Sequence, residues 1–169
     1  MIDVIVPVYR GEPATRRCLA SVMAAPQRSS FELVVVDDAS PEPAISAWLD
    51  ELGTAQRIAL VRNTRNEGFV RSVNAAIALH SDRDAVLLNS DTEVANDWLD
   101  RLAACATRDS SIATVTPFSN HATICSYPFN GWKGGVAGTL GLAALDRLFA
   151  TVNAGCSAEI PTGVGFCIY

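Results

Sequence analysis

Phe31-Glu32-Leu33-Val34-Val35-Val36-Asp37-Asp38-Ala39-Ser40 is the stretch on which the fold turns. Leu33 to Val36 are aliphatic without interruption, and three of the four are β-branched. A strand with one wet face would alternate apolar and polar residues. A continuous run instead suits a strand covered on both faces, the usual condition of a parallel sheet. The run ends in two acids and a serine, so the polar character is concentrated at the carboxyl end of the strand.

Outward from this strand the chain alternates short apolar runs with amphipathic stretches. Before it come a strand from Val4 to Tyr9 and a helix over about 12–25, with Leu19, Val22 and Met23 on one face. After it, Ser40 is placed to cap a helix with Pro41 at its first position and Ile45, Trp48, Leu49 and Leu52 inward. Ile58 to Val61 reads as a third strand, and Glu67 to His80 as a helix with Phe69, Val73, Ala76, Ile77 and His80 on its apolar face. Ala85 to Leu88 reads as a fourth strand. A helix follows from Asn96 or Asp97, with Leu99, Leu102, Ala103 and Ala106 inward, and Ile112 to Thr116 reads as a fifth strand. This order predicts an α/β protein with a parallel sheet and helices on both faces. Ligands of such sheets bind at the carboxyl ends of the strands. Beyond Pro117 the chain becomes irregular, then reads as a helix from Leu140 to Val152 and a strand from Gly163 to Tyr169.

Composition narrows the function classes. Apolar residues make up 49% and charged residues 18% of the 169, a globular balance. A net charge of -5 argues against a general nucleic-acid binder, which needs a basic footprint. Five widely spaced cysteines, without a Cys-x-x-Cys pair, fit neither a disulfide framework nor a zinc site. Reduced thiols and a start lacking a basic n-region predict a cytoplasmic protein. No run reaches the roughly 18 apolar residues of a membrane span, so contact with a membrane's inner face is expected to be peripheral.

Three segments at strand ends carry chemistry. Asp37 and Asp38 follow the second strand. Their carboxylates suit the imide of a pyrimidine or ribose hydroxyls, and equally suit the start of the next helix. Asn63-x-x-Asn66-Glu67-Gly68-Phe69 leads into a helix carrying Arg71 and Asn74. Gly68 permits close backbone approach and a helix start attracts phosphate, while a polar loop with an ordinary start signal explains the same residues. Asn89-Ser90-Asp91 follows the fourth strand. Asp91 suits Mg²⁺ or Mn²⁺, hard cations that share oxygen ligands with phosphate, and a surface turn is the alternative.

Taken together, Val4-Ile5-Val6-Pro7-Val8-Tyr9, Val36-Asp37-Asp38-Ala39-Ser40, Asn66-Glu67-Gly68-Phe69-x-x-x-x-Asn74 and Asn89-Ser90-Asp91 resemble family 2 glycosyltransferases. The resemblance covers essentially the whole chain. Pro117-Phe118-Ser119-Asn120, Ser126-Tyr127-Pro128 and Thr162-Gly163-Val164-Gly165-Phe166 resemble the rhamnosyltransferase-like and O-antigen branch. The resemblance implies a GT-A (Rossmann-like) fold and inverting transfer of a sugar from a UDP- or dTDP-linked donor to a glycan or lipid-linked hydroxyl. It places Pro7 and Tyr9 at the base pocket, Asp38 on the base with Asp37 beside it, and Asn66, Gly68 and Arg71 at the nucleotide. Asn89, Ser90 and Asp91 stand at the family's Asp-x-Asp motif. Asn89 lies near the ribose, and Asp91 holds Mn²⁺ or Mg²⁺. Asn89 in place of an acid leaves one carboxylate fewer for the metal.

The same resemblance divides the single domain into a nucleotide-sugar-binding half, 1–116, and the start of an acceptor-side region, 117–169. It places the catalytic base beyond Tyr169, and Glu159, which precedes the Thr162-Gly163 segment, reads as a solvated acid. A homodimer through an open sheet edge is a further expectation. His80 reads as a core or boundary residue, His121 as a loop residue for which a place facing donor or acceptor is the lesser reading, Trp98 as packing, Trp132 as a sugar-stacking or loop-pinning ring, and Lys133 as exposed. Two other classes stay open. A nucleotidyltransferase would need a glycine-rich loop after the first strand, where Val8-Tyr9-Arg10-Gly11-Glu12 has one glycine. A non-catalytic binding module would lack metal-dependent nucleotide binding.

Overall fold

The computed structural model describes residues 1–122, 124–127 and 140–169. Its elements run β1 (Ile2–Val8), α1 (Glu12–Ala24), β2 (Phe31–Asp37), α2 (Pro43–Thr54), β3 (Ala59–Arg62), α3 (Phe69–Ile77), β4 (Asp84–Leu88), α4 (Trp98–Ala106), α5 (Leu142–Val152) and β5 (Cys167–Ile168). The strands form one sheet in the order β3-β2-β1-β4-β5. The first four are parallel, and β5 is antiparallel to β4. The expected α/β architecture of GT-A type, mostly parallel with helices on both faces, is what the chain adopts.

The valine run behaves as its composition requires. Leu33 and Val35 face one core with Val4, Val6, Val8, Val86 and Leu88, and α1, α2 and α4 cover it through Cys18, Leu19, Val22, Ile45, Leu49, Trp98, Leu99 and Leu102. Val34 and Val36 face the other way with Ile5, where α3 lays Ala76 against them. Alternating side chains thus enter two cores, so no position in the run tolerates a polar residue.

Four expectations are corrected. Residues 112–116 are not a strand: β5 runs antiparallel along β4 and takes that edge, leaving Val115 and Tyr169 to exchange single backbone bonds of 3.0 and 2.9 Å. The expected strand over 163–169 is reduced to Cys167–Ile168. Proline does start α2, but it is Pro43 and not Pro41, because Asp37 Oδ1 accepts the Ser40 N–H (2.8 Å) and holds residues 38–42 in a turn. In α3 the packed stripe is Ser72, Val73 and Ala76, whereas Phe69 and Ile77 are exposed and His80 lies past the helix end. The small Ser72 and Ala76 let the helix lie close on the sheet, which turns the larger side chains outward.

Strand order reverses at β1: the chain proceeds to β2 and β3 on one side, then returns to place β4 on the other. The crevice between the carboxyl ends of β1 and β4 is therefore the topological switch point, where open α/β sheets bind ligands.

Candidate functional site

Register brings the three chemical segments to one edge. Val8 pairs with Asp37, and Ile5 with Leu87, so Tyr9, Asp38 and Asn89 all leave the sheet at its carboxyl side. Pro7, Tyr9, Asp37, Asp38, Asn66, Gly68, Arg71, Asn89, Ser90 and Asp91 are thus gathered on that edge or on the loops and helix start that rise from it. Pro7 is half-buried in β1, and Tyr9 is exposed with the Arg10 guanidinium 5.2 Å from its ring centre.

The two acids after β2 are structural anchors. Asp37 is buried, and its carboxylate accepts bonds from the Ser40 N–H (2.8 Å), the Ser46 hydroxyl (3.0 Å) and Arg62 Nε (3.1 Å). Asp38 is 4% exposed; its Oδ1 accepts from Asn63 Nδ2 (2.7 Å) and the Glu67 N–H (2.8 Å), and its Oδ2 accepts from the Gly68 N–H (2.9 Å). Burial pushes the Asp38 pKa up, but the bonds from Asn63, Glu67, Gly68 and Ser72 outweigh it and hold the carboxyl below its ordinary value. Asp38 thereby ties the Asn63–Gly68 loop and the start of α3 to β2. Asn63 and Ser72 complete this network, Asn63 Nδ2 also reaching Ser72 Oγ at 2.9 Å. The sequence signal for Asn63 was its place at the head of the loop motif; Ser72 gave none.

The loop's charged groups compensate one another. Glu67 accepts from Arg65 Nε (2.6 Å) and Arg71 Nη1 (2.9 Å), and both bonds lower its pKa. Asn66 is exposed beside them.

Asp91 differs from the other acids at this edge. It is exposed and has no hydrogen bond or ion pair among the described residues. The turn that carries it is firmly held: Asn89 donates its N–H to Phe166 O (2.9 Å), Thr92 donates to Asn89 O (3.0 Å), and Cys18 Sγ lies 3.5 Å from that same carbonyl. Glu93, two residues on, is engaged by Arg17 at 3.0 Å. A free carboxylate on a fixed turn at the switch point fits Mg²⁺ or Mn²⁺, which take few protein ligands and complete their shells with phosphate and water.

A second group of candidate ligand atoms, from Asp3, Glu32 and His80, lies within 4.8 Å of one another. It belongs to the opposite, amino edge. Arg83 Nη1 already stands among these atoms, 2.9 Å from Asp3, 2.6 Å from Glu32 and 3.1 Å from His80. The guanidinium supplies the positive charge there, and the cluster fastens β1, β2 and the turn before β4.

The remaining candidates separate. Trp98 is buried in the main core, His121 is exposed, and Glu159 is exposed in an irregular segment. Trp132 and Lys133 lie outside the described residues. Asn96 Nδ2 and Arg101 Nη2 both reach Asp146 at 2.7 Å and dock α5 against α4, a link with no motif in the sequence. Among the described residues no helix is long and apolar enough to cross a membrane.

Known glycosyltransferases resemble this chain. The N-acetylglucosaminyltransferase of Azorhizobium caulinodans is 31% identical over 106 residues, 61% of this chain and 26% of that protein. The mannosyltransferase PcManGT from Pyrobaculum calidifontis, solved with GDP-Man and Mn²⁺, superposes with a TM-score of 0.58 at 25% identity, over 70% of this chain and 35% of that one. S. aureus TarS 1-349 shares the fold, with a TM-score of 0.60 at 19% identity over 99% of this chain and 46% of that one. The chain spans between 12% and 36% of the length of the curated relatives it matches. The model of glycosyl transferase family 2 matches residues 3–129, three quarters of the sequence, and the chain belongs to that family.

Proposed function

We propose that this chain is the donor-binding part of an inverting, metal-dependent glycosyltransferase. Its donor is a nucleoside diphosphate-sugar, UDP- or dTDP-linked, and its acceptor a hydroxyl of a glycan or lipid-linked saccharide of the rhamnosyltransferase-like, O-antigen type. The observation that carries the reading is Asp91: an exposed carboxylate, unpaired among the described residues, on a rigid turn at the switch point, beside acids that are internally bound. The Mn²⁺ and GDP-Man held by the Pyrobaculum enzyme support it.

Asp91 would hold the divalent ion, which when bound neutralises charge on the departing diphosphate. Asp38 fixes the Asn63–Gly68 loop beneath the nucleotide, Tyr9 offers a ring for the base, and Asn89 lies near the ribose. The acceptor hydroxyl must lose a proton to a positioned base. Among the described acids after Asp91, Glu93 is engaged by Arg17, Asp97 and Asp146 by Arg101, Asp100 by the Arg28 and Ser29 N–H groups and Asp109 by Ser111, and Glu159 is exposed in an irregular segment. The donor half is therefore the part we assign.

Calorimetric titration of UDP, dTDP and GDP, with and without Mn²⁺, on the wild type and Asp91→Ala tests the reading. Metal-dependent binding that disappears in Asp91→Ala is expected. Binding of a nucleotide without any metal dependence, or none at all, overturns it.

A further inference from the structure

The donor reading leaves one question of charge: what besides the metal meets the diphosphate. Helix N-termini are the usual answer, but at the starts of α1, α3 and α4 backbone N–H groups are already engaged by side chains. The Gly11 and Glu12 N–H groups at the start of α1 donate to Glu42 Oε1 (3.2 Å) and Oε2 (3.1 Å). The Glu67 and Gly68 N–H groups at the start of α3 donate to Asp38 (2.8 and 2.9 Å). The Leu99 and Asp100 N–H groups of α4 donate to Gln27 Oε1 (3.1 and 3.2 Å). An incoming phosphate would have to displace an internal acceptor, a carboxylate in two of the three cases.

The arginines near the carboxyl edge are also committed. Arg62 binds Asp37 and Asp50, Arg65 and Arg71 share Glu67, Arg16 binds Glu12, and Arg17 binds Glu93. Arg10 is the exception. It follows β1 directly, is exposed, and among the described residues has no carboxylate partner, only the Tyr9 ring at 5.2 Å. Gly11, in the left-handed region at φ 87°, turns the chain immediately after it. Arg10 and Asp91 thus leave adjacent parallel strands, β1 and β4, on the two sides of the switch-point crevice, one a cation and the other an anion, neither compensated among the described residues.

We infer that Arg10 is the side chain that binds the donor's diphosphate, opposite the metal held by Asp91. The inference rests on the donor reading and deepens it. A guanidinium makes two parallel bonds to phosphate oxygens, and stacking on Tyr9 limits the freedom it loses on binding. A nucleotide anchored at this place has its base toward β2 and its diphosphate across β1 and β4.

The test is calorimetric titration of Mn²⁺-UDP, Mn²⁺-pyrophosphate and uridine into the wild type, Arg10→Ala, Arg10→Lys and, as a control for bulk charge, Arg57→Ala, whose arginine lies at the amino edge. Arg10→Ala is expected to weaken UDP and pyrophosphate about tenfold or more and to leave uridine unchanged. Arg10→Lys is expected to recover part of the loss, and Arg57→Ala to bind as the wild type does. Wild-type binding of UDP that Arg10→Ala retains in full overturns the Arg10 assignment alone. Equal losses in Arg10→Ala and Arg57→Ala also overturn it, since bulk charge then explains both. A wild type that binds neither UDP nor pyrophosphate overturns the donor reading and this inference with it. Circular dichroism of each variant confirms that the fold is kept.

Discussion

Asn89 donates its backbone N–H to the carbonyl oxygen of Phe166 at 2.9 Å. This bond joins the turn that carries Asp91 to the segment that precedes β5, so the proposed metal-binding turn is braced by residues far along the chain. Removing residues 163–169 takes away that acceptor, the β4–β5 pairing and the Val115–Tyr169 bonds together. The shortened chain is expected to melt at lower temperature and to bind Mn²⁺-UDP more weakly than wild type, by differential scanning calorimetry and titration.

Asp38→Ala leaves the Glu67 and Gly68 N–H groups and the Asn63 amide without their acceptor in a buried place. Each unmet donor costs about 1–3 kcal/mol, and relaxation of the loop recovers part, so a total loss of about 2–4 kcal/mol is expected from urea unfolding. Hydrogen exchange at the Glu67 and Gly68 amides should rise more than elsewhere. Unchanged exchange there would show that the loop is held by other means.

Acid stability depends on Asp100. Burial pushes its carboxyl up, but bonds from the Ser29 hydroxyl and the Arg28 and Ser29 N–H groups, with the Arg28 charge nearby, bring it down to about 2. A folded-state value below the unfolded one means the carboxylate stabilises the fold above about pH 4, and this stabilisation is lost as pH falls through about 2. Asp38, also lowered, acts in the same direction. Asp100→Asn should therefore flatten the fall in melting temperature between about pH 4 and 2, measured by scanning fluorimetry across that range.

Thiol chemistry should divide the cysteines. Burial pushes Cys18 and Cys167 up to about 12, which leaves almost no thiolate, while Cys156 is exposed. With excess alkylating reagent at pH 8, mass spectrometry should find Cys156 modified first and Cys18 and Cys167 only after unfolding. Early labelling of Cys18 would mean that α1 opens readily over the main core.

Arg83→Gln removes the cation at the centre of Asp3, Glu32 and His80, leaving the buried Asp3 carboxylate facing Glu32. A loss of stability is expected at neutral pH, smaller than for a fully buried pair because Glu32 is half-exposed. Equilibrium unfolding measures it, and no change would show that the cluster is solvated and inert.

The sequence by itself determined the sheet. The run from Leu33 to Val36 can only be a strand with two covered faces, and strand–helix alternation leaves a parallel sheet with its polar residues at the carboxyl edge. It also determined which segments carry chemistry, because acids, asparagine and glycine directly after apolar strands have no packing role there. It did not determine what each acid does. Asp37, Asp38 and Asp91 look alike in the chain, yet the first two are buried under internal donors and the third is exposed and unpaired among the described residues. That difference arises from Ser40, Asn63, Gly68 and Ser72, partners supplied by other turns of the chain. The exchange of 112–116 for Cys167–Ile168 at the edge of β4, and the isolation of Arg10 among the paired arginines of the carboxyl edge, were likewise decided only in three dimensions. Periodicity records which face of an element is buried, whereas pairing between distant polar groups depends on where the folded chain brings them.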